Sequence, residues 1–96
     1  KMRQNAKFEL QKEVGEMALE LAEKVDMMLV IGGKNSANTT RLAQLCATKC
    51  RTYHIETVAE LQDDWIQGVN KIGITAGAST PDWIIKEVYK QCQSRA

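Results

Sequence analysis

Two short stretches of this sequence carry residue types that can hold an anion. GGKNSAN occupies positions 32–38 and TAGASTPD positions 75–82. Gly32, Gly33 and Gly77 have no side chain to keep a ligand away from the backbone. Ser36, Asn38 and Ser79 are short side-chain donors whose reach suits phosphate oxygens, and Lys34 and Arg41 could add positive charge. Each stretch follows an apolar run and opens a helical pattern, so unpaired N–H groups and the positive end of a helix dipole would face the ligand. The expected chemistry is binding of a phosphate or diphosphate, although the spacing is not that of a Walker motif. Serine, threonine and asparagine at such positions also serve as plain helix caps. What favours an anion site is the presence of two such loops, which would share one edge of a parallel sheet.

Other reactive residues form weaker patterns. Cys46 and Cys50 lie four apart on one expected helix, like half a metal site, but no His or carboxylate pattern completes it. Free buried cysteine ordinarily packs as a small hydrophobe. His54 sits alone inside the strand-like TYHIE, Asp63 and Asp64 read as a solvated pair, and Glu56 takes no role. Trp65 and Trp83 read as core or interface anchors, because the chain has no basic stripe to go with stacking platforms.

The elements that must position the two loops follow from apolar periodicity. Leu10, Val14, Met17, Ala18, Leu21 and Val25 recur at three- and four-residue steps, which predicts an amphipathic helix over 6–25 with Glu20 and Lys24 paired outside. Met27 to Ile31 is an apolar run short enough for a strand buried on both faces. Asn35 or Ser36 caps a second helix reaching about Lys49 and packing on Leu42, Leu45 and Cys46. Thr52 to Glu56 reads as a strand, and Thr57 with Glu60 makes a capping-box pattern for a short helix over 58–62. Trp65, Ile66 and Val69 belong to another short turn closing the core, and Lys71 to Thr75 is a third strand. Thr80 as cap, Pro81 at the first position and Asp82 in the first turn start the last helix, whose stripe is Ile84, Ile85, Val88 and Cys92. Helices alternating with short strands predict an α/β fold: a small parallel sheet of about three to four strands with helices on both faces.

Bulk properties narrow the function classes. The chain has 96 residues, 44% hydrophobic and 26% charged, with a net charge of +1. That is one small domain, with no electrostatic case for nucleic acid or a membrane surface. No apolar stretch is long enough to span a membrane. Three cysteines without C-x-x-C spacing argue against a secreted disulfide framework and for a reducing, cytoplasmic home. The opening KMRQNAKFELQKEV has neither an initiator Met nor a signal-peptide apolar region, so residues 1–96 are expected to be an excised piece of a larger protein.

Three segments, VIGGKNSANTTRLAQLC, TYHIETVAEL and GITAGASTPDWIIKEV, closely resemble the C-terminal third of the 4-hydroxy-3-methylbut-2-enyl diphosphate reductase family. KMRQNA is similar to the segment just after that family's third cluster cysteine, so the resemblance covers essentially the whole chain. It implies one lobe, the third, of a three-lobed α/β enzyme built around a 4Fe-4S cluster held by three cysteines. It further implies reductive removal of the substrate hydroxyl as water, giving isopentenyl and dimethylallyl diphosphates. The implied partners are the diphosphate substrate, the missing N-terminal lobes and an electron donor such as ferredoxin or flavodoxin. The family's diphosphate anchors in this lobe carry over to Ser36, Ala37, Asn38 and Ser79. The cluster ligands would lie outside the chain, which makes Cys46, Cys50 and Cys92 poor ligands, and the chain alone would be inert. One departure is Ala37, where many members have a second serine. Its backbone N–H is kept and a hydroxyl contact is lost. The alternative reading is a stand-alone phosphate-binding or interaction module without catalytic activity.

Overall fold

A computed structural model describes residues 7–10, 16–66, 69, 71–77 and 80–95. Four strands, β1 (Lys7–Leu10), β2 (Met27–Ile31), β3 (Arg51–Ile55) and β4 (Lys71–Ala76), form one sheet in the order β1-β4-β2-β3. Every pairing is parallel. Helices α1 (Glu16–Lys24), α2 (Ala37–Ala47), α3 (Asp63–Ile66) and α4 (Asp82–Arg95) connect or follow the strands, with a 3-10 turn at Val58–Glu60. No helix among the described residues is long and apolar enough to cross a membrane.

The unbroken run MMLVI becomes the centre of the sheet because it can bury both of its faces. All five β2 side chains are fully buried. Met27, Leu29 and Ile31 point to one face and pack with Ile72, Ile74, Ile66, Ile85 and Val88. Met28 and Val30 point to the other and pack with Ala18, Leu21, Ala22, Val25, Leu42 and Cys46. Period-two alternation therefore divides one strand between two half-cores, with α1 and α2 on one side and α3 and α4 on the other. Each such side chain contributes about 1.5–3 kcal/mol by leaving water, which makes this strand a large source of cohesion. β3 runs along one edge, with Arg51 exposed and only Ile55 fully buried.

The expected helix over 6–25 is corrected at its start. Residues 7–10 form a strand that pairs with β4, from Lys7 opposite Lys71 to Leu10 opposite Ile74. KFEL alternates polar and apolar residues, and of the helical stripe only Leu10 falls within it, so local pattern could not separate the two states. β4 would otherwise end the sheet with unpaired N–H and C=O groups, and that tertiary demand decides. Val14 lies outside the described residues. The outer ion pair also differs: Glu23, not Glu20, meets a lysine, Lys49, at 3.2 Å.

One cap differs from expectation as well, and another has an added role. Thr57 makes no side-chain cap bond, the Glu60 carboxylate accepts from the N–H groups of both Glu56 and Thr57, and the segment forms a 3-10 turn rather than a helix over 58–62. The Thr80 hydroxyl, expected only as a cap acceptor, donates its proton across the sheet edge to the Ile31 carbonyl at 3.0 Å. Trp83 is 66% exposed and therefore not a core residue.

Packing on the α1 side leaves Gly73 no room for a side chain. A Cβ there would lie 3.1 Å from Leu21 and overlap the Met28 sulfur. Gly73→Ala should destabilise the protein by about 1–3 kcal/mol through overpacking. Denaturant unfolding measures it, and a neutral substitution would contradict the packing described.

Candidate functional site

The strand register brings the loops together. Ile31 stands opposite both Ile55 and Ala76, so β2, β3 and β4 end level with one another. The Gly32 N–H donates to Ile55 O at 2.9 Å, and the Gly77 N–H donates to Ile31 O at 3.1 Å. GGKNSAN and the loop after β4 thus leave adjacent strands at one edge and lead to helices on opposite faces of the sheet. That is the switch-point arrangement at which open α/β sheets bind ligands.

Ser36 is the N-cap of α2, with extended backbone (φ −81°, ψ 117°). Its hydroxyl oxygen accepts the Thr39 N–H at 3.2 Å and lies 3.1 Å from the Thr39 hydroxyl. Thr40 N–H bonds to Ser36 O. The first-turn N–H groups of Ala37 and Asn38 are those a helix cannot pair within itself, and both residues are exposed. No acidic residue occupies this first turn. The α4 start differs, because Asp82 sits in its first turn and already answers the helix dipole. The two loops, similar in sequence, are electrostatically unequal, and the α2 start is the better anion seat. Of the four expected anchors, Ser36, Ala37 and Asn38 share that seat, while Ser79 lies outside the described residues.

Lys34 is largely occupied. Its backbone N–H donates to the Glu56 carboxylate at 3.0 Å, and its ammonium pairs with Glu60 at 3.1 Å. The expectation that it supplies charge to an anion is therefore corrected: sequence distance hid two carboxylates on the neighbouring loop. Burial opposes ionisation of Glu60, but the hydrogen bond from Lys34, the Glu56 N–H, the lysine's charge and the Thr57 N–H outweigh it, holding the carboxyl below its usual range. Arg41 is exposed on α2.

Between the loops runs an open cleft of about 340 Å³ walled by Gly32, Gly33, Glu56, Thr80, Pro81 and Ile84. Ser36 and Asn38 are not among its walls, and Glu56 makes it unfavourable for a diphosphate. A larger opening, about 620 Å³, lies along Tyr53, His54, Glu60 and Trp65 and touches neither Gly32 nor Gly77. There Tyr53 and Trp65 stack with ring centroids 4.0 Å apart. His54 donates from Nε2 to the Gly32 carbonyl at 3.1 Å, bracing the first loop from beneath. This tie had no sequence signal beyond a polar residue inside a strand.

The cysteines do not form a metal cradle. Cys46 and Cys92 are buried in different half-cores on opposite faces of the sheet. Burial, then the neighbouring Cys50, pushes the Cys46 thiol up to about 11. Burial and Asp26 raise Cys50 against the opposing hydrogen bond of Thr52. Both are protonated near neutrality, whereas the thiolate is the metal-binding form. Among the described residues no three of His, Cys, Asp and Glu gather as ligands. The described residues of this chain therefore do not fit a 4Fe-4S cluster.

Residues 8–93 match the family model described as LytB protein. The chain belongs to the LytB protein family. It is 64% identical over 75 residues to 4-hydroxy-3-methylbut-2-enyl diphosphate reductase of Trichlorobacter lovleyi, covering 77% of this chain and 27% of that protein. It is 60% identical over 74 residues to the reductase of the same name from Geobacter sulfurreducens, covering 76% and 26%. A solved structure of (E)-4-hydroxy-3-methyl-but-2-enyl diphosphate reductase, the terminal enzyme of the non-mevalonate pathway, superimposes with a TM-score of 0.80 at 52% identity, over 82% of this chain and 28% of that one. The E-1-hydroxy-2-methyl-but-2-enyl-4-diphosphate reductase from Plasmodium falciparum does so at 0.72 and 26% identity, over 76% and 23%. The chain thus spans about a quarter of the length of the curated relatives it matches.

The Lys34–Glu60 pair makes a signed prediction. Because the Glu60 pKa is depressed in the folded state, its stabilisation is present above the ordinary glutamate pKa and is lost as pH falls through the depressed value. Unfolding of wild type and Glu60→Gln compared across acidic pH should show a difference that closes on acidification. A difference that widens would refute the assignment.

Proposed function

We propose that residues 1–96 are the substrate diphosphate-binding lobe, the C-terminal third, of a 4-hydroxy-3-methylbut-2-enyl diphosphate reductase. The full protein would take the allylic alcohol, two electrons and two protons to isopentenyl or dimethylallyl diphosphate and water. The electrons would pass through a 4Fe-4S cluster whose cysteines lie outside these 96 residues, supplied by a donor such as ferredoxin or flavodoxin. Three free thiols suit a cytoplasmic setting.

The observation that carries the reading is the α2 start. Ser36, the Ala37 N–H and Asn38 converge there with no competing carboxylate in the first turn. Their work is to bind and orient. A diphosphate fixed at this helix start holds the far end of the substrate, and binding energy from that non-reacting group positions the hydroxyl-bearing carbon. Ser79 would close on the same diphosphate from the second loop. The family membership and the reductase names of the relatives support the same activity.

In the full-length enzyme, Ser36→Ala and Asn38→Ala should each raise KM for the diphosphate substrate by roughly 10-fold or more, as expected for hydrogen bonds to a charged group. Unchanged KM in both would refute the anchor assignment. Ala37→Ser should lower KM a few-fold, the effect of about one added hydrogen bond. A KM that stays the same or rises would limit position 37 to its backbone. Anaerobic reconstitution of the full-length protein should give a brown, oxygen-sensitive cluster, and a colourless product would count against the reductase reading.

A further inference from the structure

We propose that Thr39 is a positioning residue that sets the direction of the Ser36 hydroxyl proton and locks the first loop to the second. The inference rests on the α2 start being the diphosphate seat.

Thr39 is 1% exposed, one of few buried polar side chains. It sits where the loops meet. A Cβ on Gly32 would lie 2.7 Å from both Cγ2 and Oγ1 of Thr39, and a Cβ on Gly77 would overlap Oγ1. Both glycines are therefore required by one side chain, which packs under the loop after β2 and the loop after β4 together. That wedge holds the two loops at a fixed separation.

The hydroxyl has a second task. Its partner among the described residues is Ser36 Oγ, at 3.1 Å, and that oxygen already accepts the Thr39 N–H. Between two hydroxyls the proton could run either way. If Ser36 donated, the buried Thr39 proton would be left unbonded, which is the costly outcome for a buried donor. Thr39 therefore donates. Ser36 Oγ then accepts twice, its lone pairs are filled, and its own proton is left to point outward. A serine so arranged can only donate, which is what an anion requires. Without the Thr39 hydroxyl, Ser36 could turn its proton inward or onto water, and part of the binding would be spent reorienting it.

The two roles of Thr39 can be separated by substitution in the full-length enzyme. Thr39→Val keeps the branched shape and removes the hydroxyl, whereas Thr39→Ser keeps the hydroxyl and removes the methyl packed on Gly32. Thr39→Val should hold its melting temperature yet raise KM for the diphosphate substrate, and Kd for inorganic pyrophosphate, on the order of 5- to 10-fold, with kcat changed less. Thr39→Ser should lower the melting temperature and bind nearly as wild type. A purely structural role ranks the two variants the other way, and that ranking would overturn the proposal. Should Thr39→Val not fold, Thr39→Ser and Thr39→Ala provide the comparison, since both lack the methyl and differ only in the hydroxyl; equal binding by these two would overturn it. In Ser36→Ala, adding Thr39→Val should cost no further affinity, because the coupled groups share one effect; an additive loss would also overturn it. If Ser36→Ala alone binds pyrophosphate like wild type, the diphosphate seat itself is wrong. If Ser36→Ala weakens binding and Thr39→Val does not, only the positioning role fails.

Discussion

The carbonyl oxygen of Ile31 is the constraint on which the sheet edge depends. It is the last acceptor of a strand buried on both faces, so water cannot satisfy it. It takes the Gly77 N–H and the Thr80 hydroxyl, both from the loop after β4. Those two bonds draw the second loop over the end of β2, beside the start of the first. In the same row, Ile55 O takes the Gly32 N–H and does the same for β3. The convergence of the loops is thus a consequence of satisfying backbone acceptors at the end of an in-register parallel sheet.

Within that frame, small residues and one buried hydroxyl divide the work. Gly32 and Gly77 make space, Thr39 fills it, and Ser36 caps the helix while its cap bonds leave a proton for use elsewhere. Capping and the proposed anion binding are compatible at Ser36. The cap fills the oxygen's acceptor capacity, and that is what frees its proton.

Charge is arranged less obviously. The lysine in the glycine loop is tied to Glu60, and its backbone N–H to Glu56, so this charged strap stiffens the loop rather than presenting a cation. The proposed attraction for a diphosphate would then rest on backbone dipoles and neutral donors, which need no counter-charge when empty. The cleft between the loops has the more inviting shape, but Glu56 makes it the poorer seat for an anion. Shape and electrostatics disagree at this edge, and for a diphosphate electrostatics decides.

Much of the arrangement was legible in the sequence, because it depends on near neighbours. MMLVI read as a strand short enough to be buried on both faces, Asn35 or Ser36 could be picked as a cap, and the alternation of elements implied a parallel sheet with loops on one edge. The presence of α2 and α4 followed from side chains three and four residues apart, although α2 ends at Ala47 rather than about Lys49. What the tertiary structure decided involves partners distant in the chain. KFEL satisfies a strand and a helix pattern equally, and only the open edge of β4 makes it a strand. Thr80 has the residue type of a cap, and nothing local shows that its proton goes to Ile31 across the sheet edge. Lys34 looks like a phosphate ligand until Glu56 and Glu60 arrive from the next strand end. Thr39 carries no motif at all; its importance comes from lying beneath two glycines that are far apart in sequence. Local periodicity sets which elements form, and the unpaired polar groups they bring together determine which side chains remain free to act.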